Sequence, residues 1–146
     1  MKTYNFLAVF VLGLSPFHVL AQEPLNQQAI VAEAQQSLVD PQKRQEALNT
    51  PEARSADRQV EITALGDNSK KQEMYSLAAA LLPWLAQQAA GDPNKMAEIM
   101  QKFQSDPQSF FNSIPEEQRN KIRALASEIE AQQKSNKAPV KASATP

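Results

Sequence analysis

The sequence predicts an all-α protein: a small irregular helical bundle of about five to six helices, with a Gln-rich N-terminal helical arm and a disordered C-terminal tail. Three observations point there. Glycine is rare, 3 in 146 residues, while Ala and Gln are common, which favours helix. Four times a capping oxygen stands directly before a proline, at Asp40-Pro41, Thr50-Pro51, Asp92-Pro93 and Asp106-Pro107. That is the pairing expected where a helix begins. Large apolar residues also recur at steps of three and four through the second half of the chain.

The chain opens on Lys2 as a short positive segment, followed by the apolar run Phe6 to Leu14 (FLAVFVLGL) and the helix-breaking Pro16. Val19-Leu20-Ala21 then offers the small residues that a cleavage site before Gln22 requires. Residues 1–21 therefore read as a secretory signal peptide. A membrane-spanning helix needs about 17–25 apolar residues, and Phe6 to Ala21 falls short. No Cys stands at the cleavage point to take a lipid. Export without any Cys and without an Asn-X-Ser/Thr acceptor fits a bacterial protein. The periplasm is the expected destination, the extracellular space the second.

Residues 22–50 form the polar Gln-rich arm. Its apolar stripe is thin, with Ile30, Ala34 and Leu38 on one face, enough to dock onto the rest of the molecule or onto a partner chain. Residues 51–133 are the compact helical module, since residues 60–129 hold twenty large apolar side chains against six in residues 22–59. From 134 to 146 (KSNKAPVKASATP) the composition cannot build a core, and disorder is expected.

The expected helices cover 25–38, 41–48, 51–65, 70–90, 93–104 and 114–132, with a short turn at 107–112. Val60 to Leu65 alternates apolar and polar residues, as an edge strand would, but no second strand exists to pair with it. Ser69 with Gln72 and Ser113 with Glu116 fit the capping box, and Gly66 and Gly91 fit the residue that closes a helix. Ile114, Gln118, Ile122, Leu125 and Ile129 recur at steps of 4, 4, 3 and 4, and four of the five, all but Gln118, set an apolar stripe on the last helix. Met96, Ile99, Met100 and Phe103 set a shorter one, and both are expected to pack on Leu77 to Ala86 (LAAALLPWLA), the one segment apolar on every side. Within it, Pro83 has no N–H for the Ala79 carbonyl, so a kink or break is expected there.

Composition excludes several chemistries. The single His, His18, lies in the removable segment, and there is no Cys. The mature chain therefore has no Ser–His–Asp or Cys–His machinery, no Cys/His zinc site and no disulfide. Glu116-Glu117 sits at a helix start, where acids answer the dipole, and adjacent residues point apart. Asp67-Asn68-Ser69 lacks calcium-loop spacing. No catalytic, cofactor or metal site emerges, and an enzyme is not expected. A formal net charge of −1 with scattered Lys and Arg gives no basic stripe for nucleic acid and no polybasic membrane segment.

Binding to another envelope or extracellular protein is what remains, as an assembly, chaperone-like or host-interaction factor. Its candidate contact residues are Tyr75, Leu81, Trp84, Phe103, Phe110 and Phe111, since Trp and Tyr are enriched where interfaces gain their energy. Of the adjacent Phe110 and Phe111, either one enters the core and the other stays exposed, or both cap the bottom of the bundle. The alternative is a membrane-active or lipid-binding secreted protein using Leu77 to Ala86; membrane contact is not favoured, and the oligomeric state is left open. Residues 114–118 (IPEEQ) are loosely similar to the Leu-Thr-x-x-Gln signature of small helical periplasmic chaperones, with Pro115 in place of the Thr. Five residues assign no family.

Overall fold

The computed structural model describes residues 24–137. They form seven helices and no strand: α1 Pro24–Val39, α2 Pro41–Ala47, α3 Pro51–Thr63, α4 Asn68–Ala89, α5 Pro93–Ser105, α6 Pro107–Ser113 and α7 Glu116–Lys137. The segment expected as a turn at 107–112 is a true helix, which makes one element more than expected. Val60 to Thr63 lies within α3, not in a strand. The expected tail is helical from 134 to 137, because α7 continues past its last apolar contact. Residues 1–21, expected to be a signal peptide, and the rest of the expected tail lie outside the described residues.

All four capping-oxygen–proline pairs start helices. The Asp40 carboxylate accepts from the Gln42 and Lys43 amides at 2.8 and 3.4 Å, and the Thr50 hydroxyl accepts from Ala53 at 3.1 Å. Asp92 takes the Asn94 amide at 2.8 Å and Asp106 the Ser109 amide at 3.0 Å. Each satisfies a donor that the first turn would otherwise leave unpaired. The two capping boxes are not formed. Asp67 caps α4 instead, accepting from Ser69 and Lys70 at 2.9 and 3.1 Å, because a carboxylate at the positive helix end outcompetes a hydroxyl two residues inside it. Ser113 donates to the Phe110 carbonyl at 2.6 Å and so serves the end of α6.

Gly66 stands one position later than expected, whereas Gly91 directly follows the cap residue Ala90, where a closing glycine belongs. The first left-handed residues are Leu65 (φ 58°) and Ala90 (φ 51°), each followed by the glycine. At the end of α3 the Gly66 amide donates to the Glu61 carbonyl at 3.0 Å and the Leu65 amide to Ile62 at 3.1 Å, the paired bonds of a Schellman closure. Leu65 accepts this conformation because its side chain packs against the core.

α4 is the axis of the molecule and runs without interruption through Pro83. One face, with Met74, Leu77, Leu81 and Leu85, enters a core completed by Val60 of α3 and Ala64 just after it, Phe103 of α5, Phe110 and Phe111 of α6, Ile114, and Ile122, Leu125, Ala126 and Ile129 of α7. Burying each large aliphatic or aromatic side chain contributes about 1.5–3 kcal/mol. The segment is not covered all round: Ser76, Ala80, Pro83 and Gln87 follow one another at helical spacing along an exposed edge.

Candidate partner-binding surface

Five of the six residues proposed from sequence are buried in the folded chain: Tyr75, Leu81, Phe103, Phe110 and Phe111. Trp84 alone is half-buried. Both phenylalanines are enclosed: about 100° apart on α6, Phe110 meets α4 and α5 while Phe111 lies under Arg123 of α7. Phe110 meets Phe103 edge-on at 5.0 Å and Trp84 at 5.9 Å, while the Arg123 guanidinium lies 5.1 Å from the Phe111 ring centroid.

Trp84 opens into a groove of about 370 Å³ between α4, α5 and the end of α6. Its apolar wall is Trp84, Ile99 and Phe110; its polar lining is Gln88, Lys95, Glu98, Lys102 and Ser113. Pro93 fixes the start of α5, and the steps from Lys95 to Ile99 to Lys102 then place all three on one face. An apolar floor with a charged rim is the general anatomy of a protein contact. Ile99 was read from sequence only as part of the stripe expected to pack on Leu77 to Ala86, and the two lysines were not singled out, although their spacing was visible.

A second constellation lies on the opposite side of α4. The Tyr75 hydroxyl donates to the Asp57 carboxylate at 2.7 Å, and Lys71 pairs with the same carboxylate at 2.9 Å and with Glu61 at 3.6 Å. The Arg44 guanidinium sits 4.1 Å above the Tyr75 ring and donates to the Leu38 carbonyl at 2.7 Å and to Gln72 at 3.1 Å. Burial, then the hydrogen bond to Asp57 and the charge of that carboxylate, push the Tyr75 phenol well above its ordinary range, with Arg44 opposing. Together these contacts clasp α1, α2, α3 and α4.

The arm is docked. Gln72 of α4 donates to the Val39 carbonyl at 2.7 Å, and Gln35 of α1 donates to the Ala79 carbonyl at 2.9 Å, so the two helices run antiparallel. The Ala79 carbonyl is the one that Pro83 leaves without a helical donor. The Gln35 amide supplies the missing hydrogen bond from another part of the chain.

Among the described residues no three or more acidic side chains converge as a metal-holding group. No described helix is long and apolar enough to cross a membrane. No family model, no curated protein and no solved structure matches the chain.

Proposed function

We propose that this is an exported, non-enzymatic helical protein that acts by binding another protein in the bacterial periplasm or outside the cell, using the groove beside Trp84. The observation that carries the reading is the half-buried Trp84 set against Ile99 and Phe110 under a charged rim. An aromatic side chain held rigidly by its own core contacts loses little conformational freedom when a partner covers it. The signal-like residues 1–21 and the absence of His and Cys beyond them support the same reading.

The test uses the chain from Gln22 onward with a chemically unfolded client protein. The expected outcome is reduced light scattering from client aggregation and a blue shift of Trp84 emission, both weakened by Ile99→Asp. Neither suppression nor shift would overturn the reading. Export is tested separately by cell fractionation: a processed chain beginning at Gln22 is expected in the periplasmic or culture fraction, and an unprocessed cytoplasmic chain would contradict it.

A further inference from the structure

We propose that the Trp84 groove recognises an acidic amphipathic helix of the partner protein. One aliphatic side chain of that helix seats between Trp84, Ile99 and Phe110, and a carboxylate on either side of it meets Lys95 and Lys102. This deepens the protein-binding reading of the same groove and rests on it.

The two lysines flank the apolar floor along a single helix. At the α-helical step, Lys95, Ile99 and Lys102 fall within about 60° of one another around α5, and the lysines stand about 10.5 Å apart along it. Phe103 lies beyond Ile99 on the buried side, and Glu98 lies beyond Lys102 on the exposed side. Each ammonium group therefore stands between the floor and open water, one turn before or after Ile99.

Neither charge is paired within the chain. Lys70, Lys71 and Lys121 each meet a carboxylate, whereas Lys95 and Lys102, both exposed, meet none among the described residues. Glu98 stands three residues from one and four from the other, the spacings at which helical ion pairs form, yet it bridges neither. Lys95 also stands in the first turn of α5, where a cation opposes the helix dipole and where no acidic residue offsets it. The facing wall, with Trp84, Gln88, Phe110 and Ser113, brings no carboxylate either. The groove thus sets two unpaired cations around an apolar floor in a chain whose formal net charge is −1. A partner complementary to it carries acid beside an apolar anchor.

The spacing selects a helix. A volume of about 370 Å³ takes a few side chains and not a whole element, so the partner lies along the mouth and inserts its anchor. Residues seven apart on a helix share a face about 10.5 Å apart, which matches the two lysines. A strand sets its same-face residues about 6.6 or 13 Å apart and misses that spacing.

The test titrates two stapled, Ala-rich helical peptides without Trp against the full chain, in which Trp84 is the only tryptophan. Both carry one Leu; one peptide has Glu three residues before it and four after it, the other has Lys at those positions. A saturable blue shift of Trp84 emission is expected with the acidic peptide, and a dissociation constant at least about tenfold larger with the basic one. In the chain carrying Lys95→Glu and Lys102→Glu the preference is expected to reverse, a gain of basic-peptide binding that an unfolded chain cannot give. No shift with the acidic peptide, equal affinity for the two peptides, or an unreversed preference would each overturn the inference. Suppression of client aggregation that remains sensitive to Ile99→Asp would then leave the groove a protein-binding site without this charge preference. Loss of suppression together with peptide binding would remove both.

Discussion

Gln35 and Pro83 illustrate how a residue's contribution can depend on another residue far along the chain. Removing the Gln35 amide leaves a carbonyl without a donor, so Gln35→Leu is expected to cost about 1–3 kcal/mol. Pro83→Ala restores the N–H that Ala79 lacks, and in that background the same Gln35→Leu change is expected to cost less by about 1 kcal/mol or more. Denaturant midpoints of the four chains check this; equal losses in the two backgrounds would show the pair to be uncoupled. Tyr75 gives a second prediction. Its phenol titrates higher in the folded chain than the value of about 10 of an unfolded tyrosine, so the native state holds its proton more tightly. That contribution is complete below about pH 10 and is lost as pH rises beyond it toward the folded value. Melting temperatures taken from about pH 8 to 11 are expected to fall more steeply for the parent chain than for Tyr75→Phe. Superimposable slopes would remove Tyr75 as the source.

At the level of elements, local chemistry was legible and partner choice was not. The four capping-oxygen–proline pairs marked real helix starts because an N-cap is decided within four residues. Ile122, Leu125 and Ile129 were recognisable as a buried stripe from spacing alone. Ser69 misled, because Asp67 competes for the same amide donors and wins on charge. Asp67→Ala is therefore expected to cost about 1 kcal/mol, while Ser69→Ala stays within about 0.5 kcal/mol of the parent. Thermal unfolding distinguishes the two, and a larger loss from Ser69→Ala would reverse the capping assignment. The candidate surface was legible only in part. Trp84 was found by its residue type and the burial of Phe103 by its stripe, but the burial of both Phe110 and Phe111 follows from which helices surround α6, which periodicity does not encode. The proline did announce an unpaired Ala79 carbonyl. Nothing local to it named Gln35.

For the whole molecule, a thin polar arm, read as able to dock here or elsewhere, lies along the central helix. Its anchoring by amides and a guanidinium explains why a segment with one buried side chain among its described residues is ordered at all. Pairs such as Lys70 with Glu128 at 3.4 Å tie α4 to α7, but one partner is exposed, and such a bridge adds little beside the aliphatic packing beneath it. The exposed Lys121–Glu117 contact on α7 holds the Glu117 carboxyl below its usual range through a hydrogen bond and opposite charge, with the same small influence on the fold.

The bond between Gln35 and Ala79 spans 44 positions of the chain. During synthesis, which runs from the N-terminus, α1 emerges well before the carbonyl it serves exists. The helix that needs the donor is therefore completed in the presence of a donor already waiting, and its proline defect can be repaired as soon as it forms. Docking of α1 can then accompany the completion of α4, before α7 is there to pack on it, so losing Gln35 should slow folding as well as speed unfolding.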